Sequence, residues 1–586
     1  MRRILLALAV ALTLSLNIAY SNSSQREVVV AAPVNEVYTL APLVKRGIIP
    51  LPKECGEALR SYVKFENAYL IGVNSSLDGL LRLKEMGYVF EEAVVMREGE
   101  DVLGSALAAS SMGIPLFIIR ENFTDFISSL TRVGVRRVYA PERAENFWNI
   151  SLLRLPQYSP GNEERVVVGF KGDRLALLAA IYAGLTESKF MVVKCPDELK
   201  DELRGEVSTV VYVVSFENLS SWGFTELYKP VIEAKGDKYM LINVGVITGS
   251  TEACAWSLAM RNAWYLYNRP EPVNALIVYM DDSELLAEKV ARSLKREGLK
   301  IRALEYKASG DGNLTSVRLR EELERTSGIV YVNLHGNPYC MATRTTGPCL
   351  ISYWNMPSTG PRTIVVTLSC STCDLEELGR GTHSVALAYL SKGALAYIGA
   401  RRIEYLGNLE TSTAYPEFIV QALMDGWTVG EAVRVVNNFH IKQYKKVEPW
   451  VAAYTCLIGD PDLVVSEREE PSCKAEIVGD TIRVEITRKT CCAFTQIPVD
   501  FSLEEVKFEK KRPDIYIKVF ITQEGGTKIL NLYLTRKISK ELGDLAPGEV
   551  FEIKVIRKMG LETSILIGLA ITLGLVALGY ILRKKG

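Results

Sequence analysis

The run Gly328-Ile329-Val330-Tyr331-Val332-Asn333-Leu334-His335-Gly336-Asn337 decides how this 586-residue chain is read. Its first half is β-branched and aromatic without alternation, the pattern of a strand covered on both faces. It ends on an imidazole followed by glycine. A second run, Thr363-Ile364-Val365-Val366-Thr367-Leu368-Ser369-Cys370, has the same build and ends on a thiol. In open α/β sheets functional side chains collect at the carboxyl ends of strands. His335 and Cys370 are 35 positions apart, room for one connection and a return strand. Two neighbouring parallel strands would then present an imidazole and a thiol at one edge.

Outward from these runs the pattern repeats. Ala275 to Met280 and Lys300 to Tyr306 read as strands, with a helix from Glu284 to Glu297 between them and another at Leu319 to Arg325. Ser384 to Ser391 is helical and Ala394 to Gly399 is a strand. Two helices follow, Pro416 to Met424 and Val429 to Phe439, and Tyr454 to Val465 closes the unit. The alternation predicts an α/β domain with a mostly parallel sheet over 271–466. From 22 to 270 short β-branched runs, such as Ala68 to Val73 and Thr209 to Ser215, also alternate with helical stretches. A leading α/β region is expected there. Its passages Leu103 to Pro141 and Leu175 to Glu217 are loosely alike, so it divides into two subdomains in one reading. After Ser466 helical periodicity vanishes. Alternating runs such as Thr481 to Ile486, Asp514 to Ile521 and Lys528 to Leu534 predict a β-sandwich over 467–558.

The chain has three histidines, so few groups can serve as a base near neutral pH. A cysteine thiolate is a strong nucleophile, and an imidazole beside it lowers the thiol pKa and later protonates a leaving amine. Gly336 admits close backbone approach, and its N–H with that of Cys370 would form an oxyanion hole. Asp281-Asp282 ends the strand at Met280 on the same edge. The pair reads either as the lining of a specificity pocket for a basic side chain or a cation, or as a turn and helix cap before Ser283. Cys340 and Cys349 are a candidate loop-closing disulfide between the two runs. His383 starts the helix after Cys370 and reads as structural; His440, in a polar helical stretch, reads as solvated. Cys491-Cys492 carries no reading. Cys370-Ser371-Thr372-Cys373 also fits a C-x-x-C thiol oxidoreductase, or a permanent disulfide in a catalytically inactive surface-binding or structural protein. A redox protein would need Cys373 as much as Cys370 and His335 hardly at all. The sequence shows no P-loop, dinucleotide fingerprint or zinc pattern, so no cofactor and no metal is expected.

The segment Val330 to Asn337 resembles the strand–His-Gly motif of the caspase-like clan, and most of all that of the gingipain family. Thr367 to Thr372 is similar to that family's strand–Cys motif. Gly393-Ala394-Leu395-Ala396-Tyr397-Ile398-Gly399-Ala400 and Leu457-Ile458-Gly459-Asp460-Pro461 resemble further gingipain segments in the same order. The resemblance covers Val273 to Val465. It implies a cysteine endopeptidase of caspase-like fold, with His335 as general base and acid, Cys370 as nucleophile and Gly336 as oxyanion donor. It also implies an α/β subdomain before the catalytic one and an immunoglobulin-like domain after it. Two positions depart from the family pattern: Leu334 precedes the histidine where glycine is usual, and Cys373 stands where glycine usually follows the nucleophile.

The ends of the chain speak to compartment. Met1-Arg2-Arg3, the uncharged run Ile4 to Leu16 and the small polar residues Ser21 to Ser24 have the layout of a secretory signal peptide over 1–21. Thr563 to Leu582 carries no charge, and as a helix its 20 residues would cover ~30 Å, the thickness of a hydrocarbon core. Arg583-Lys584-Lys585 follows, which places the tail 583–586 in the cytoplasm. The expectation is a single-pass protein of the cell membrane with its bulk outside, acting on protein or peptide substrates. Asn22, Asn74, Asn122, Asn149, Asn218 and Asn313 stand in glycosylation sequons, as expected of an exported glycoprotein. Eleven cysteines are an odd count, so at least one thiol is left out of intrachain pairs. Basic and acidic residues balance at 69 each, so no bulk field points to nucleic acid.

Overall fold

The computed structural model describes residues 27–98, 101–119, 123–140, 150–269, 271–344, 347–376, 383–402, 415–466, 471–503, 506–510, 512–536 and 543–557. The expected signal peptide, membrane span and tail lie outside these residues, as do the sequons at Asn22, Asn122 and Asn149. Among the described residues no helix is long and apolar enough to cross a membrane.

A ten-stranded sheet forms the centre of the molecule. In chain order its strands are β1 (Asn162–Phe170), β2 (Ser188–Val193), β3 (Thr209–Val213), β4 (Asn243–Ile247) and β5 (Asn274–Met280), then β6 (Lys300–Tyr306), β7 (Gly328–Asn333), β8 (Ile364–Thr367), β9 (Ala396–Ala400) and β10 (Thr455–Ile458). Across the sheet the order is β6-β5-β7-β8-β9-β10-β4-β3-β1-β2. Every neighbouring pair is parallel except β9 with β10, which run antiparallel. The sheet is thus two parallel halves pointing opposite ways. The division expected at 270 parts these half-sheets rather than two sheets, and β10, late in the chain, runs in the direction of the leading half. Residues of β7 and β8 are buried at every position, as strands covered on both faces must be. Burying each such valine or isoleucine side chain is worth about 1.5–3 kcal/mol.

Before this sheet come two small parallel ones. Ile48–Pro52, Val28–Ala32 and Tyr69–Gly72 form the first, and Leu116–Ile119, Glu92–Arg97, Arg137–Ala140 and Ser151–Arg154 the second, each in that order. Cys55 and Cys254 are joined in a disulfide, which ties this leading part to the helix Glu252–Asn268.

A buried ion cluster ties β10, the late-arriving strand, to the leading half of the sheet. Arg165 of β1 reaches Asp460 and Asp462 in the turn after β10, and the Tyr182 hydroxyl donates to Asp460. Burial works against the guanidinium charge, but the two carboxylates more than offset it and raise its pKa.

Residues 473–557 form a sandwich of a four-stranded sheet (Cys473–Val478, Thr481–Ile486, Val550–Arg557, Val506–Lys510) and a three-stranded one (Cys492–Val499, Thr527–Arg536, Ile515–Glu524). It has its own core, including Ile482, Val484, Leu532 and Phe551. Phe418 and Phe439 of the preceding unit pack against Phe494 and Tyr533 of the sandwich. Beside them Lys289 is buried with its Nζ 3.0 Å from Glu417 and 2.8 Å from Thr535 Oγ1. Cys491 and Cys492, unread in the sequence, are buried here with their sulfurs 3.4 Å apart.

His440 is not solvated as expected. It is 3% exposed, on the inner face of Val429–Gln443, with its ring 5.4 Å from that of Tyr454. The polar letters beside it, Asn437 and Asn438, are buried too, bonded to the backbone of Thr455 and Met240.

Candidate active site

The parallel pairing of β7 and β8 sets Val332 beside Thr367. His335 and Cys370 each lie three residues beyond that pair, so they leave the sheet at one level on adjacent strands. Both are half-buried. The strands end through local bonds: Leu368 N–H still donates to Val332 O at 3.0 Å, but Ser369 N–H turns back to Thr367 Oγ1 at 2.9 Å. The Leu334 N–H donates to Ser369 Oγ at 3.3 Å and links the two strand ends.

Beyond its strand the chain at His335 enters a three-stranded antiparallel sheet of His335–Asn337, Cys340–Ala342 and Cys349–Ser352. Asn337 Oδ1 accepts from the N–H groups of Tyr339 (2.8 Å) and Cys340 (3.0 Å), a side-chain-made turn. Cys340 and Cys349 are joined in a disulfide across this hairpin. The helix Val385–Ser391 docks onto it through the Val385 N–H, which donates to Pro338 O at 2.9 Å.

Gly336 fits against the thiol-bearing loop. A Cβ there would stand 2.7 Å from Ser369 Cβ, 2.7 Å from Thr372 Cγ2 and 2.8 Å from the Cys370 carbonyl oxygen. Only the residue without a side chain lets the two loops touch.

The loop after Cys370 is held from several sides. Ser371 has φ of 51°, a left-handed conformation that costs a non-glycine residue ~1 kcal/mol or more. Its N–H donates to Arg402 O at 3.1 Å, and the Cys373 N–H to Ala400 O at 3.0 Å. Cys373 is disulfide-bonded to Cys456 of β10, with Cα atoms 6.6 Å apart. The C-x-x-C pairing of Cys370 with Cys373 is thereby corrected: Cys373 is spent on a strand 83 residues away, and Cys370 takes part in no disulfide.

Asp281 stands on the same edge. The β5–β7 register pairs Tyr279 with Asn333, so Asp281 comes level with His335. Its carboxylate accepts from the Ala308 N–H and from the Asp282 N–H, both at 3.1 Å, and Asp281 and Asp282 are exposed. These bonds make Asp281 the clamp of its own turn while leaving it at the mouth of the edge. His383 precedes the capping residue Ser384 and stacks on Trp354, with ring centroids 5.2 Å apart, and edge-on to Tyr353 at 4.9 Å. Trp354 is 70% exposed. This aromatic group beside the hairpin escaped the sequence reading, because nothing in a single sequence brings 353, 354 and 383 together. Among the described residues no cluster of histidine, cysteine or acidic side chains is arranged to hold a metal ion.

Residues 261–466 match the model of peptidase family C25, the gingipain family of cysteine peptidases. The match spans β5 to β10 and both strand ends described above. Among solved structures, the Arg-specific cysteine proteinase gingipain R is similar at 13% identity and a TM-score of 0.39, over 68% of this chain and 100% of that one. The complex of the RgpB pro- and mature domains from Porphyromonas gingivalis is similar at 12% identity and a TM-score of 0.40, again over 68% and 100%. No curated protein matches the chain in sequence.

Proposed function

We propose that the chain is a cell-surface, membrane-anchored cysteine endopeptidase in which His335 and Cys370 form the catalytic dyad. The observation that carries this is the shared level of the two side chains on adjacent parallel strands, within a segment matched by a cysteine peptidase family. In the reaction the Cys370 thiolate attacks the carbonyl carbon of the scissile peptide, and the Gly336 and Cys370 N–H groups hold the oxyanion. The His335 imidazolium gives its proton to the departing amine, leaving a thioester on Cys370. Water, deprotonated by His335, then hydrolyses the thioester and restores the thiol. The Cys373–Cys456 disulfide supports this reading, because it keeps the nearest cysteine from capturing Cys370. Asp281, level with the dyad, is the candidate to select a basic side chain of the substrate.

The test is active-site labelling. Under mild reductant a peptidyl acyloxymethyl ketone should alkylate Cys370, located by peptide mass spectrometry. Labelling should fall at least 100-fold in His335→Ala, the scale of a lost general base, and persist in Cys373→Ser. A probe that never reaches Cys370 in the folded wild-type protein would sink the proposal.

A further inference from the structure

One end of the β-sandwich carries two features that the peptidase site does not use. At this end strand Val550–Arg557 finishes, with Arg557 paired to Val506, and the Val478–Thr481 and Glu524–Thr527 turns lie at the same end. Five residues, 558–562, separate Arg557 from the uncharged run that starts at Thr563. Fully extended they span at most ~17 Å. If 563–582 crosses a bilayer, this end of the sandwich therefore stands close to its surface.

The first feature is apolar. Ile477, Val478 and Ile556 are 38%, 59% and 38% exposed at this end. Ile477 and Ile556 border a cavity of about 470 Å³ whose lining also holds Asp480, Asp500 and Lys554, with Lys554 3.9 Å from Asp480. The second is basic. Between the sandwich and the α/β unit lies a cleft of about 780 Å³, whose lining includes Lys238, Lys442, Lys445, Lys446 and Lys528, together with Leu503. Among the described lining residues only Asp237 and Glu448 are acidic. Asp237 uses its carboxylate on the N–H groups of Gln523 (2.8 Å) and Tyr239 (3.4 Å). Burial, followed by repulsion from Lys445 and Lys238, brings the Lys442 pKa down to about 8. The cleft gathers positive charge without matching counter-charge, which is the state of a site that awaits anions.

We propose that this end of the molecule seats on an anionic phospholipid surface, with headgroup phosphates in the lysine cleft and Ile477, Val478 and Ile556 dipping into the headgroup–acyl boundary. The proposal rests on the reading of 563–582 as a membrane span. Lipid is the occupant that uses both features: an acidic peptide would fill the cleft and leave the apolar tip in water. An exposed apolar tip together with a basic cleft at one end is what an interfacial surface requires. Each lysine near an anionic bilayer strengthens the contact about fivefold. Seating would hold the catalytic edge at a set attitude to the membrane.

The experiment uses the full chain mixed with vesicles of phosphatidylcholine alone or with phosphatidylglycerol added. Flotation reports association, and acetylation of surface lysines by a sulfonated succinimidyl ester, mapped by mass spectrometry, reports contact. With phosphatidylglycerol, acetylation of Lys442, Lys445 and Lys446 should slow about fivefold or more and recover in high salt. Lys189 on the far edge strand serves as reference. The triple variant Lys442→Glu/Lys445→Glu/Lys446→Glu should lose the lipid-dependent protection of Lys238 and Lys528 while keeping its peptidase activity on a soluble peptide. Equal acetylation in both lipids, with the chain floating in both, would overturn the seating and leave the span standing. Flotation with phosphatidylglycerol vesicles only, reversed by salt, would keep the seating and overturn the span. Flotation with neither would overturn both.

Discussion

Gly336→Ala tests the site where it is tightest. The added Cβ would meet Ser369 Cβ and Thr372 Cγ2 at 2.7 Å and the Cys370 carbonyl oxygen at 2.8 Å. A Cβ and a backbone oxygen cannot swing aside as a long side chain can. Ordinary contact begins near 3.4 Å, so the strand at His335 and the loop at Cys370 must part by about 0.7 Å. Overpacking of this kind costs ~1–3 kcal/mol of stability. A misplacement near 1 Å between reacting groups costs roughly 100-fold in rate. The expected result is a large loss of chemistry with a modest loss of fold. The rate constant for alkylation of Cys370 by the peptidyl ketone should drop about 100-fold. The melting temperature of the same sample should fall by only several degrees, at about 2–4 °C per kcal/mol. Alkylation at the wild-type rate in a folded Gly336→Ala protein would refute the packing of these loops as a requirement of the chemistry. A loss of alkylation that merely tracks unfolding would refute it equally.

Further outcomes follow from other parts of the molecule. Burial, with a smaller push from Lys518, lowers the His440 pKa from 6.5 to about 3, so the unfolded chain takes up a proton that the folded one refuses. Stability should therefore be full above about pH 6.5 and decline as pH falls toward 3, by up to about 5 kcal/mol; urea melts of His440→Phe should show a flatter slope across that window. Arg165→Leu strands Asp460 and Asp462 without their cation and should cost about 3–5 kcal/mol. A urea midpoint equal to the wild type would count against the pinning role given to this cluster. The double variant Cys373→Ser/Cys456→Ser should lose about 2–5 kcal/mol and still be alkylated at Cys370. Peptide maps under non-reducing conditions should find Cys373 joined to Cys456; a Cys370–Cys373 peptide instead would overturn the assignment.

The sequence by itself determined the parts written locally. A strand covered on both faces must be apolar throughout, so the runs ending at His335 and Cys370 were legible, and so was the order of alternating elements around them. The 35-residue spacing of the two residues equals the offset of the β7–β8 register, which is why counting alone could bring them to one edge. The loss of helical periodicity after Ser466 likewise marked the sandwich, because period-two alternation is a property of each strand alone.

The tertiary structure decided the rest, since those features depend on partners far along the chain. Cys373 has a neighbour in sequence at Cys370 and a partner in space at Cys456, and only the antiparallel return of β10 beside β9 selects between them. The boundary expected at 270 looked like a division between sheets because strand pairing across it runs through β10, nearly 200 residues downstream. His440 read as solvated because Asn437 and Asn438 beside it are polar, but distant backbone groups of Thr455 and Met240 take up those amides inside, and His440 faces Tyr444 and Tyr454. The basic cleft, too, draws Lys238, Lys442 and Lys528 from three separate stretches. Charge balance over the whole chain concealed it: an even total says nothing of where folding gathers one sign.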